Sequence, residues 1–348
     1  MRVNVFDRAT QVSLSTPVTL LSMIKFPPSS HLIRSIESIP DRWRGGVLSI
    51  GNFDGVHCGH RALIRQLKTL ADGIGTAALV FTFDPPPLKL LRPTHSPIPL
   101  TWMERRADLL HALGIDTSIA YPTTHALLEL EAEVFFEKIL VEGLGIRGLV
   151  EGSNFRFGKD RRGDIKLIER LCAQHGIAFE LAKPELDGNV WYSSSLVREW
   201  IEQGEIDRAN SALVEPYRLI GDVGHGAARG RLLGFPTANL QQIPVLIPAH
   251  GVYAARVVFA SESVSAMGKP VALHIGPNPT FDEDTAKVEA HLIGFTGDLY
   301  GQTLELEILG HVRGVQRFQS KEALLDQLQR DVQRVLEIVS LLPAVVAP

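Results

Sequence analysis

The chain is short of cysteine, with 2 in 348 residues, Cys58 and Cys172. Two thiols cannot frame a fold of this length, which excludes a disulfide-stapled secreted domain and predicts a reducing, cytoplasmic setting. It also lacks an apolar run near the roughly 18 residues that cross a bilayer. The best stretches, around 17–24 and 335–347, are short or interrupted. Charge of one sign is missing too: 35 basic side chains face 39 acidic ones, a net −4. No global field draws a polyanion, so neither nucleic acid nor a membrane is an expected partner. The 30 glycines and 21 prolines stay well under the roughly 25–30% of low-complexity chains. A globular protein of about two domains is expected, at roughly 100–200 residues each, working as a monomer or with weak self-association. Residues 1–30 carry Arg2, Asp7, Arg8 and Pro17 without a small-residue cleavage site. They make a poor signal peptide and are expected to be a disordered extension, with Met23 as an alternative start.

From residue 31 the pattern becomes regular. Apolar runs at 46–50, 77–83, 117–120, 146–151 and 177–182 alternate with helical stretches at 61–70, 102–113, 131–142, 163–175 and 194–203. Thr101 is placed to cap the second of these helices, with Glu104 in its first turn. Strand–helix alternation predicts a doubly wound α/β domain over 31–204, with ligand chemistry at the carboxyl ends of the strands. After a linker at 205–216 the period changes. Strands at 217–223, 251–259, 271–275, 287–295 and 304–311 follow one another without helices. That spacing predicts an antiparallel β-barrel domain over 217–340, closed by a C-terminal helix that Ser320 caps.

Three clusters carry chemistry in the first domain. The strand ending at Ile50 runs into GNFDGVHCGH (51–60) and then a helix. His57 and His60 meet at that helix start, where backbone amides and the helix dipole favour anions. Gly59 allows close approach, and imidazole N–H groups can donate to phosphate oxygens. A turn that merely contains two histidines is the plainer alternative; a metal site lacks a third ligand apart from Asp54. GSNFRFGKDRRGD (152–164) interleaves Arg156, Lys159, Arg161 and Arg162 with Phe155 and Phe157. It is either a solvated charged loop or a pocket shaped for a nucleotide and its phosphates. Ser193, Ser194 and Ser195 precede a helix whose first turn carries Arg198. Hydroxyls commonly cap helices, yet Arg198 could reach a triphosphate bound at the same edge.

In the second domain GDVGHGAARGRLLGFPTAN (221–239) is dense in glycine, a composition that lets successive amides turn toward phosphates. Thr237 and Asn239 offer hard oxygen ligands suited to Mg²⁺. Glu289 shares a predicted strand face with Lys287 and His291 and could serve as a general base if a hydroxyl lies within reach.

These motifs, in this order, resemble the prokaryotic bifunctional riboflavin kinase/FAD synthetase family. The first module resembles it through GNFDGVHCGH, FTFDPPP (81–87), GSNFRFGKDRRGD and SSSLVR (193–198). The second does so through G-x-x-x-G-x-P-T-A-N (230–239), GVYAA (251–255), IGPNPTF (275–281), VEAHL (288–292) and DLYG (298–301). The resemblance spans residues 45–335 and implies a six-stranded kinase barrel. It implies that riboflavin is phosphorylated to FMN, and FMN adenylylated to FAD, with ATP as co-substrate and Mg²⁺ as cofactor. By position, His57, His60 and Arg198 would act on the ATP of the first module. Gly51, Asn52, Phe53, Asp54, Gly59, Asn154, Phe157, Gly158, Ser194 and Ser195 would surround it. Gly230, Gly234 and Pro236 would hold the kinase nucleotide, Thr237 and Asn239 the metal, and Glu289 would take the hydroxyl proton. Three positions depart from the family pattern: Pro86 stands where P-H-P has histidine, Ser195 where threonine is usual, and His274 where asparagine commonly precedes the I-G pair. Pro86 motivates a second reading, a kinase with an impaired adenylyltransferase half. A non-catalytic flavin-binding protein is the third.

Overall fold

The computed structural model describes residues 26–183, 192–225, 230, 233–278, 280 and 283–341. The expected extension lies outside these residues up to position 25. Phe26, within the span expected to be disordered, stacks on Trp102 with ring centroids 6.2 Å apart.

The first half folds as a six-stranded parallel sheet. In chain order its strands are β1 (Leu32–Ile33), β2 (Val47–Ile50), β3 (Ala78–Asp84), β4 (Thr117–Pro122), β5 (Gly148–Glu151) and β6 (Ala178–Leu181). Across the sheet the order is β1-β4-β3-β2-β5-β6. Both faces are covered, so β2 and β5 are buried along their whole length and read as unbroken apolar runs. One face packs Leu48, Phe81 and Leu149 against Phe135, Phe136 and Ile168. The other packs Val47, Val80 and Val150 against Ile64, Leu67 and Leu110.

The helices are α1 (Cys58–Ile74), α2 (Pro87–Leu91), α3 (Met103–Ala112), α4 (His125–Leu128) and α5 (Ala132–Phe135), then α6 (Ile165–His175), α7 (Ser194–Glu202), α8 (Ile206–Ala212) and α9 (Lys321–Ser340). From Phe136 to Gly143 the α5 turn continues as a π-helix. Gly75, at φ 74°, closes α1 in the left-handed conformation that glycine adopts without strain. Thr101 does not cap α3. Trp102 is the cap residue and makes no side-chain cap bond, while the Thr101 hydroxyl donates to Asp54 Oδ1 at 3.1 Å. A buried carboxylate needs donors more than a helix end does.

The second half is a closed barrel of β7 (Arg218–Gly224), β8 (Ala238–Gln241), β9 (Gly251–Ala260), β10 (Pro270–Asn278), β11 (Glu283–Leu292) and β12 (Thr303–Arg313), in the order β10-β11-β8-β7-β12-β9. Alternation puts Val271, Leu273 and Ile275 of β10, and Val288, Ala290 and Leu292 of β11, inside. Ser320 caps α9, its hydroxyl accepting from Ala323 N at 3.1 Å. The stretch 205–216, expected as a linker, contains α8. Ile206, Ala209 and Ala212 are fully buried, in one apolar core with Trp200 and Ile201 of α7 and the barrel interior. A chain of ion pairs continues the link: Arg105 of α3 to Glu215 (2.5 Å), Glu215 to Arg218 (2.9 Å), and Arg218 to Glu305 (2.8 Å). Among the described residues no helix is long and apolar enough to cross a membrane.

Candidate active sites

Strand order reverses at β2, which has β3 on one side and β5 on the other. Such a switch point opens a crevice at the carboxyl ends of the strands. The β2–β5 register is recorded only for Val47↔Gly148 and Leu48↔Leu149, after which the strands part. Glu151 bridges the gap by accepting the Ile50 N–H at 2.6 Å. Burial pushes this carboxyl well above the usual carboxylate range, the Ile50 N–H opposing only in part.

The loop after β2 is tightly wound. Phe53 and Val56 both take positive φ, 48° and 42°, and Phe53 is buried. His57 caps α1, its ring stacks on that of His60 at 3.8 Å, and its own N–H donates to His60 Nδ1 at 3.3 Å. That acceptor role leaves the His60 proton on Nε2. His57 Nδ1 is buried without a hydrogen-bond partner. Burial pushes the His57 imidazolium down to about 4, with Arg198 acting in the same direction and Asp54 against it. Burial, then the neighbouring His57 and Arg106, hold His60 well below a free imidazole. Both rings are therefore neutral at physiological pH. A Cβ on Gly59 would lie 3.1 Å from the His57 ring and from Tyr192 O, tight enough that the neighbours would have to give by a few tenths of an ångström.

Asp54 sits beneath this loop, 7% exposed. Its carboxylate accepts from Leu100 N (3.0 Å), Thr101 N (3.0 Å), the Thr101 hydroxyl, Arg106 Nη2 (2.9 Å) and Arg198 Nη2. With its oxygens taken up by these protein donors, Asp54 holds Leu100, Thr101, Arg106 and Arg198 in place around the loop. The Ser194 hydroxyl donates to Asp54 O at 2.8 Å, while the Ser193 hydroxyl caps α7 and Ser195 is exposed. Arg198 is fixed at a second point, Nε donating to Ile98 O at 3.1 Å. Gly51, Asn52, His57, His60, Ser194 and Arg198 are thus held in one assembly. Sequence reasoning missed Arg106, which is buried and also donates to Asn52 O at 2.8 Å. The signal was present: Arg106, Leu109 and Leu110 share the i, i+3, i+4 stripe of α3.

The 152–164 loop follows Glu151 at the same edge. Phe157 is buried against Phe155 (5.5 Å) and Phe135 (6.3 Å), and it pairs with Gly163 through two backbone bonds. A Cβ on Gly158, at φ 70°, would come within 2.5 Å of Ala132 Cα. Phe157 and Gly158 therefore dock the loop onto α5. Three of the four cations meet acids: Lys159–Glu129 (2.6 Å), Arg156–Asp164 (3.4 Å) and Arg162–Asp160 (3.6 Å). Asn154 is exposed. Pro86 precedes α2 just beyond the end of β3, half-buried.

The barrel interior is filled with side chains, so the candidate residues of this module lie on its outer face. Register aligns Asn239 of β8 with Glu289 of β11, and Glu289 with His274 of β10, in one row across three strands. Thr237 lies two residues before Asn239 and is half-buried like it. His291 shares the Glu289 face and bonds Pro236 O through Nδ1 at 2.8 Å. A Cβ on Gly230 would overlap Phe235 O at 2.3 Å, and Gly234 takes φ 83°. The rest of the expected glycine loop, 226–229 and 231–232, lies outside the described residues, as do Pro279 and Phe281 of IGPNPTF. Two neutral oxygen donors beside a carboxylate suit a hard dication that keeps most of its shell from water and phosphate. No cluster of three His, Cys, Asp or Glu among the described residues offers a softer metal site.

A family model described as FAD synthetase matches residues 39–196, and one described as riboflavin kinase matches 213–339. The bifunctional riboflavin kinase/FMN adenylyltransferase of Pseudomonas fluorescens is 36% identical over 87% of this chain and 96% of its own. The Escherichia coli K12 protein of the same name is 33% identical over 86% of this chain and 95% of its own. A crystal structure described as a macrolide-efflux protein from Streptococcus pneumoniae superposes with a TM-score of 0.75 at 26% identity, covering 88% of this chain and 98% of that one. With both modules matched in order and nearly the full length of these relatives covered, the chain belongs to the bifunctional riboflavin kinase/FMN adenylyltransferase family.

Proposed function

We propose that the chain makes flavin cofactors in two ATP-dependent steps, one on each module. The observation that carries the reading is the coexistence of two separate polar clusters in one polypeptide, each suited to phosphate. One is the His57/His60/Arg198 assembly at the sheet switch point; the other is the Thr237–Asn239–Glu289 group on the outer barrel face.

In the barrel, riboflavin presents its 5′-hydroxyl to Glu289. The oxygen attacks the γ-phosphorus of ATP, the proton passes to the carboxylate, and ADP leaves with FMN as product. Gly230, Gly234 and Pro236 shape the nucleotide loop. Thr237 and Asn239 would hold Mg²⁺, which when bound neutralises charge on the phosphate oxygens. In the sheet domain, a phosphate oxygen of FMN attacks the α-phosphorus of a second ATP, and pyrophosphate leaves with FAD as product. No protein nucleophile is needed, since positioning and charge stabilisation dominate such displacements. His57 and His60 donate hydrogen bonds as neutral imidazoles. Arg198, anchored through Nη2 and Nε, keeps Nη1 for a phosphate. Asn52 and Asn154, exposed in the segments after β2 and β5, would contact the nucleotide.

The two free cysteines support a cytoplasmic enzyme whose partners are riboflavin, FMN and ATP, working as a monomer or with weak self-association. Supplying purified protein with FMN and MgATP and measuring pyrophosphate and FAD tests the adenylylation half, where Pro86 departs from the family pattern. Absence of pyrophosphate would leave a kinase alone.

A further inference from the structure

His274 occupies a position that the proposed two-step chemistry does not use. It pairs directly across the β10–β11 ladder with Glu289, on the outer face that also carries Asn239. Its Nδ1 lies 3.9 Å from Glu289 Oε2, with side chains 21% and 17% exposed. That nitrogen is buried and has no hydrogen-bond partner. An orphaned ring nitrogen in a half-dry site is costly unless a state of the protein satisfies it. At 3.9 Å the pair is beyond hydrogen-bond range, as catalytic pairs often are before substrate binds.

Among the described residues, the other charged or titratable groups near the ring are Arg313, His250 and Asp331. Arg313, at the end of β12, spends its guanidinium on Asp331 of α9, at 2.7 and 2.9 Å. His250 faces the neighbouring Gly276 from the segment before β9. Burial keeps the imidazole below its ordinary value, Glu289 pulling the other way. A neutral ring carries a single N–H, and placed on Nδ1 it faces Oε2 of Glu289.

We propose that His274 is a positioning residue for phosphoryl transfer, donating from Nδ1 to Glu289 Oε2 in the substrate complex so that the other carboxylate oxygen faces the riboflavin hydroxyl. This rests on the reading of Glu289 as the general base.

The test is steady-state riboflavin kinase kinetics of the full-length protein bearing H274N, H274Q, H274L or E289Q, with conversion of supplied FMN to FAD as the control for folding. An asparagine amide sits near the place of Nδ1, a glutamine amide near that of Nε2, and leucine has no donor. The expected result is that H274N keeps at least a third of kcat. H274Q and H274L should lose about tenfold in kcat, the size of one charge-assisted hydrogen bond, with KM for riboflavin and ATP within about twofold. Wild-type kcat in H274L, or equal loss in H274N and H274Q, overturns the proposal while an inactive E289Q leaves the base assignment standing. An active E289Q overturns that assignment itself. If H274L loses FAD formation as well, it is misfolded, and the contrast between H274N and H274Q decides alone.

Discussion

Asp54 and Arg198 lie 144 residues apart in the chain and share a short hydrogen-bonded ion pair beneath the His57–His60 loop. Arg106 meets the same carboxylate from α3 at 2.9 Å. One buried acid thus ties the β2 loop, α3 and α7 into a single frame, and the neutral histidines stand on it.

Removing that charge leaves two largely buried guanidiniums with only neutral oxygen partners. Asp54→Asn is expected to cost about 3–5 kcal/mol of unfolding free energy, measured by denaturant titration. Arg198→Lys keeps a charge but cannot bond Asp54 and Ile98 O together, so FAD formation should fall while FMN formation from riboflavin continues. Equal loss of both products in a folded Arg198→Lys protein would contradict the division between modules.

The depressed His57 value gives acid sensitivity a direction. Between about pH 6.5 and pH 4 the unfolded chain binds a proton at this site that the folded one refuses, so stability present above pH 6.5 is lost as pH falls toward 4. The loss amounts to about 3 kcal/mol. His57→Gln should flatten the unfolding free energy over that window; an unchanged slope would show the ring to be protonated in the native protein.

Glu151 works in the opposite sense. Its carboxyl is raised by burial, so the unfolded chain loses a proton near pH 4.5 that the folded protein retains. Its contribution is complete below that value and declines by about 1.4 kcal/mol per pH unit as pH rises toward the folded value. Glu151→Gln keeps an acceptor for Ile50 N–H and removes the slope. The variant is expected to exceed the wild type in stability at pH 7–8 and to converge with it near pH 5. Parallel curves would mean that the carboxylate is ionised in place.

The parallel sheet was legible because β2, β3 and β5 are apolar along their length, and the H-x-G-H loop because a strand and a helix flank it. The barrel strands were legible by period two except β8, which hides in P-T-A-N: four residues are too short for alternation to register. The linker at 205–216 was misread because α8 is small and alanine-rich, and its helix is stabilised by burial against the barrel more than by its own pattern. Thr101 was misplaced as a cap because a sequence shows which polar residues are available, not which buried partner claims them. The docking of Phe157 and the ion pairs of the basic loop were not legible, because intramolecular packing and ion pairing leave no mark on local composition.

Glu289→Gln should stop conversion of riboflavin to FMN yet leave supplied FMN convertible to FAD. His57→Ala with His60→Ala should do the reverse, with FMN accumulating. Chromatography of the products after fixed incubation reads both variants, and kinase turnover persisting in Glu289→Gln would remove its role as base.

The most direct measurement of the central claim is a time course of the wild-type protein with riboflavin and MgATP, resolving riboflavin, FMN and FAD. Two ATP-using sites in one chain predict that FMN rises first and FAD follows at its expense, with one pyrophosphate released per FAD. Riboflavin left unconsumed, and FMN equally inert when supplied in its place, would contradict it.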